Sequence, residues 1–198
     1  RADDSAATEK TSVSHTTNQL AKMIVYNDLA SGDQVLSDSY PQVPLKFNGE
    51  TIEGITMVQA KMVNKELGDI NIGANASAEE ADEGTDDASK MVNNIVDGET
   101  GFGYEGPMTI SKAEFAVMYK GWCKKVKDAI VAKGDKPKPF MTSAQAFLPV
   151  LNAEFKNFEI YQTKSFNAFV IGWWDDEANT VGAPKFLYFT HGMSAEKY

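Results

Sequence analysis

The chain of 198 residues sets 19 Lys+Arg against 28 Asp+Glu, a formal net charge of −9. Arg1 is its only arginine, so there are no guanidinium forks to grip phosphates or read bases, and an acidic chain of this kind is a poor partner for nucleic acid. No apolar run approaches the ~18 residues that span a membrane, and the single cysteine, Cys123, rules out an internal disulfide and four-cysteine zinc sites alike.

Residues 1–22 are polar, rich in Ser and Thr, and lack apolar periodicity. They read as an expression leader, disordered and outside the fold; no apolar core marks them as a signal peptide. Its bases (Arg1, Lys10, Lys22) balance its acids (Asp3, Asp4, Glu9), so the remaining chain keeps the whole −9. At Met23 the composition shifts abruptly to MIVYNDL, and a single domain is expected over residues 23–198.

The first third holds short apolar runs. Val58, Ala60 and Met62 alternate, which predicts a strand with one buried face. Pro41 and Pro44 confine the preceding run to a loop or an edge strand. An acidic stretch follows. From Glu66 to Asp87 there are eight acids, no base and few large apolar side chains, so burial cannot offset the entropy of ordering and a mobile loop over 66–90 is expected. The calcium-hand template set at Asp69 fails, because Gly73 offers no side-chain oxygen at position five and Ala74 replaces the glycine of position six. Asp69, Glu79, Glu80, Asp82 and Glu83 nevertheless form a carboxylate cluster suited to weak calcium binding, about millimolar. Gly98, Gly101, Gly103 and Gly106 make the next segment a turn-rich connector rather than a phosphate loop, since no Lys-Ser/Thr follows them.

A helical hairpin is predicted over 109–157. Ser111 and Glu114 fit a capping box, and Phe115, Tyr119, Trp122, Val126 and Ile130 recur at helical spacing. Gly134 fits the stop, with Pro137 and Pro139 beyond it. Thr142 and Gln145 suggest a second capping box, with Phe147, Leu148, Leu151 and Phe155 along the second helix and Pro149 bound to kink or shift it. Lys112, Lys120, Lys124, Lys125 and Lys127 lie on the first helix, and Lys133, Lys136 and Lys138 follow; only Glu114, Asp128 and Asp135 oppose these eight charges. Such a basic hairpin on an acidic protein suits electrostatic docking to an acidic partner such as a microtubule surface.

The last third is β-rich. Phe169, Val170 and Ile171, and then Phe186 to Phe189, are dense enough for central strands, joined by the acidic loop WDDEANTVG. Strands, a helix pair and strands again imply an α+β domain. Outside the leader, Cys123 and His191 are the only possible cysteine–histidine pair; the first reads as helix packing and the second as a strand exit, so an enzyme built on them is not expected.

Ile72, Gly73, Asn75, Ser77 and Glu79 match the Ile-Gly-x-Asn-x-Ser-x-Glu signature of the translationally controlled tumour protein family. MIVYNDL, Ser37-Asp38-Ser39-Tyr40 and Lys138-Pro139-Phe140-Met141-Thr142 also resemble that family, in the right order, so the resemblance covers Met23 to Tyr198. It implies a β-tent of mostly antiparallel sheets with a projecting helical hairpin and a long mobile acidic loop. It further implies a non-enzymatic cytoplasmic protein that binds calcium and binds or stabilises microtubules through tubulin, with the hairpin as the tubulin contact. No cofactor is required beyond weakly bound calcium, and neither nucleic-acid binding nor membrane insertion is implied. The alternative is regulation of a Ras-like small GTPase, as an exchange or accessory factor, through Asp33 and Gln34; the family's glutamate there is Gln34 in this chain. Tyr198 stands where the family has a terminal cysteine, which argues for a monomer.

Overall fold

The computed structural model describes residues 23–65, 91–174 and 181–198. Three antiparallel sheets and a helical hairpin make up this part of the chain. Strands β1 (Ile24–Asp28) and β2 (Gln34–Ser37) form a small sheet with the final strand β10 (Met193–Lys197), in the order β10-β1-β2. The main sheet runs β3-β4-β9-β8-β7, from β3 (Gln42–Phe47) and β4 (Glu50–Gln59) through β9 (Lys185–Phe189) and β8 (Phe169–Trp173) to β7 (Phe158–Gln162). A two-stranded ribbon pairs β5 (Met62–Asn64) with β6 (Met91–Asn93).

Both faces of the main sheet are covered, and the strand alternation divides its side chains between two cores. Ile55, Met57, Ile160, Ile171, Leu187 and Phe189 point to the helices, while Val58, Tyr161, Val170, Phe186 and Tyr188 meet Val35, Leu36, Ile95 and Tyr104 on the other side. The expected central strands are indeed the inner β8 and β9, and Pro44 lies on the edge strand β3, where its missing N–H costs nothing. Met62 departs from expectation. It is 39% exposed because β4 ends at Gln59 and Met62 opens the separate ribbon, so it does not continue the buried face of Val58.

Helix α1 (Lys112–Ala132) starts at the Ser111–Glu114 capping box and buries Phe115, Tyr119, Trp122, Val126 and Ile130, as their spacing requires. Gly134 then turns the chain with φ +83°. The second capping box does not form. Helix α2 (Lys138–Ala146) begins a turn earlier, with Pro139 in its first turn, where a proline has no intrahelical partner to lose; Thr142 is an exposed mid-helix residue. Pro149 does divide the second arm: α3 (Leu148–Glu154) restarts with it in the first turn, and fully buried Phe147 marks the joint. Burial of Phe115, Phe140 and Phe147 stabilises the helix layer by roughly 1.5–3 kcal/mol per ring. Leu151 is buried as its place in the stripe predicts, whereas Leu148 and Phe155 diverge from it. Leu148 is 42% exposed, and Phe155 falls in a short 3-10 turn, only partly buried. Among the described residues no helix is long and apolar enough to cross a membrane.

Candidate functional site

The hairpin lysines do not form one patch. All eight, from Lys112 to Lys138, are exposed, and none has an ion-pair partner among the described residues. At about 100° per residue, Lys120, Lys124 and Lys127 fall within a sector of roughly 60°, whereas Lys125 lies about 100° beyond Lys124. The surroundings agree. Lys120 borders the groove between α1 and the α2–α3 arm, while Lys125 borders a different groove with Met118, Gly121 and Phe166 of the β7–β8 turn. Lys112 is partly committed to the fold, its ammonium donating to the Asn152 carbonyl at 2.9 Å and tying the two arms together.

The turn between β1 and β2 carries Asp33 and leads into Gln34, the first residue of β2. The anchor of the turn is Asp28, which in the sequence is marked only by its place at the end of an apolar run. One carboxylate oxygen of Asp28 accepts the backbone N–H groups of Ala30 and Ser31 at 2.9 and 2.8 Å. The other accepts the Trp122 indole N–H at 2.9 Å. Burial pushes the Asp28 carboxyl above its ordinary value against those hydrogen bonds. Asp33 shifts the opposite way. Burial works against its charge, but donors on Ser165, Thr163 and Ser31 outweigh it and hold the carboxyl low. Asp33 accepts from the Ser165 hydroxyl at 2.5 Å, so the β1–β2 turn is clasped to the β7–β8 turn. Gln34 is exposed, and its amide donates to the Tyr198 hydroxyl at 3.2 Å. Gln34 and Tyr198 are therefore bonded to each other across the small sheet.

Asp69, Glu79, Glu80, Asp82 and Glu83, with the signature residues Ile72, Gly73, Asn75 and Ser77, lie outside the described residues. Among the described residues there is no group of three or more His, Cys, Asp and Glu that could hold a metal ion. Cys123 is buried, and burial pushes its thiol up to about 11, which leaves it neutral and unreactive at ordinary pH. His191 is exposed and borders a pocket at the hairpin tip, away from the groove that Cys123 lines.

An antiparallel α+β domain with a basic helical hairpin packed on one sheet face defines a protein of the β-tent kind. The chain belongs to the translationally controlled tumour protein family, whose profile matches residues 23–194. Translationally-controlled tumor protein homologs resemble it at 37% identity in Neurospora crassa, over 73% of this chain and 82% of that one. The homolog in Danio rerio is 32% identical over 88% of this chain and 99% of its own. Among solved structures, the Translationally Controlled Tumor-associated Protein p23fyp from Schizosaccharomyces pombe superposes with a TM-score of 0.62 at 27% identity, covering 88% of this chain and 99% of that one.

Proposed function

We propose that the protein is a non-enzymatic cytoplasmic binding protein that associates with microtubules through its hairpin and binds calcium weakly through the acids of 66–90. The observation that carries the first part is the set of exposed hairpin lysines with no ion-pair partner among the described residues, on a chain of net charge −9. Apart from Lys112, whose ammonium ties the two arms together, their charge is not spent on ion pairs among the described residues and can serve an acidic surface such as tubulin's. Lys120, Lys124 and Lys127 share one edge and carry more of the attraction than Lys125 does.

Co-sedimentation with microtubules tests this. Binding should weaken steeply as salt rises, because exposed charges are screened within about 8 Å at physiological ionic strength. The pair Lys120→Glu/Lys124→Glu should lower affinity roughly tenfold or more, with Lys125→Glu much milder. Salt-indifferent binding would sink the reading. For calcium, amide shifts at Asp69, Glu79, Glu80, Asp82 and Glu83 that saturate with calcium and not with magnesium are expected.

A second reading, regulation of a Ras-like GTPase, is favoured by one observation: Asp33 is held charged and clasped by Ser165 beside exposed Gln34. Accelerated nucleotide release that survives the lysine reversals and disappears in Asp33→Ala would select it.

A further inference from the structure

We propose that the groove between α1 and the α2–α3 arm is a docking site for an acidic amphipathic helix of a partner protein. Its apolar side chains would enter the groove while its carboxylates meet Lys120, Lys124 and Lys127. The groove holds about 270 Å³ and is lined by Ala116, Cys123, Met141, Ala144, Leu148 and Leu151. Little on its floor can bond water. The Tyr119 hydroxyl is already spent on the Ala144 carbonyl at 2.9 Å, and the Cys123 thiol is neutral. An apolar side chain is therefore the occupant the floor favours. The α3 wall adds exposed apolar surface, with Leu148 42% exposed. Leu148 reaches this position because Pro149 forces the second arm to restart there.

Charge chooses among apolar partners. Lys120 lines the groove, and by helical angle Lys124 and Lys127 follow it within a sector of roughly 60° along about 10 Å of α1. Gln145 on the facing wall is neutral. Asp128, some 40° beyond Lys124 by helical angle, is the acid nearest that edge along the helix, and it forms no ion pair with the lysines. A partner carrying acids beside its apolar stripe thus finds complementary charge on one side and no opposition on the other. The secondary structure of the partner follows from the walls. Both are helices whose backbones are internally bonded, so strand addition has no open edge to join, and a third helix packing its ridge into the groove is the fitting mode.

The probe is a labelled synthetic peptide with Leu at i, i+4 and i+7 and Glu flanking that stripe. Two controls carry Ser for Leu, or Lys for Glu. It is titrated against the full chain and against Ala116→Arg, Lys120→Glu and Lys125→Glu. Ala116 is exposed, so the arginine blocks the groove without disturbing the core, and its added positive charge would only raise non-specific attraction. The expected result is binding at least tenfold weaker to Ala116→Arg and to Lys120→Glu, unchanged for Lys125→Glu, and lost for both control peptides. Equal binding of the Ser peptide, equal loss in Lys125→Glu, or no binding to the full chain would each overturn the proposal. So would a concentration-dependent dimer of the free protein that Ala116→Arg abolishes, since a second copy would then own the groove. The titration involves no tubulin. Failure of microtubule binding leaves it standing, and its failure leaves the microtubule reading standing.

Discussion

Gly54 shows how much a single hydrogen can decide. It sits in β4 with φ +78°, at a place where the pairing with β3 shifts register between Pro44 and Lys46. A Cβ there would overlap the Ser143 hydroxyl of α2 and approach His191 Nδ1 to 2.7 Å. The irregular strand thus lets α2 and the turn after β9 close on the sheet together. Gly49 offers a control, with φ +82° but nothing within 4 Å of an added Cβ. Gly49→Ala should cost only the left-handed backbone penalty, about 1–2 kcal/mol. Gly54→Ala should cost more, about 2–5 kcal/mol, because the clash adds to it. Urea unfolding of both variants checks this, and equal losses would show that the packing at Gly54 yields freely.

Among elements, α1 was the most legible. Its capping box and its apolar spacing lie within the helix itself, and every residue of the expected stripe is buried. The box should be measurable. The Ser111 hydroxyl accepts the Glu114 N–H at 3.3 Å while the Glu114 carboxylate accepts the Ser111 N–H at 2.9 Å, so Ser111→Ala should cost ~1 kcal/mol, read as a lowered urea midpoint. The start of α2 misled because Thr142 and Gln145 make a valid box pattern, yet the first turn of a helix accepts Pro139 without loss and the chain uses the extra turn to bury Phe140. The division of the lysines could have been read from 100° steps along the helix, but which sector borders which groove depends on where α2 and the β7–β8 turn pack. The sheet order was not legible at all. Pairs such as β4 with β9 join residues more than a hundred apart, and nothing local encodes their register.

For the molecule as a whole, Asp28 is where the small sheet, the β1–β2 turn and α1 meet, and it does so as a buried carboxyl. Its folded pKa lies above the ordinary 3.8, with burial the main cause. Between those two values the folded protein holds the proton more tightly than the unfolded chain does. Stability therefore falls as pH rises through that window and is level above it. The ionised group thus taxes the fold at neutral pH, and mild acid should remove part of that tax. Asp33, Asp97 and Glu114 are shifted down, so their contributions persist until pH drops below the ordinary carboxylate values. The urea midpoint should accordingly carry a contribution from Asp28 that grows as pH falls from 7 toward its raised pKa. Asp28→Asn isolates the cause. It keeps an oxygen for the Ala30 and Ser31 N–H groups but cannot titrate, and its amide NH2 faces the Trp122 donor. The variant should lose stability overall through that donor–donor conflict, and the gain on lowering the pH from 7 should be smaller than in the parent chain. Identical pH profiles for the two proteins would place the Asp28 pKa at its unfolded value and remove the burial argument, while a steeper profile in the variant would reverse its sign.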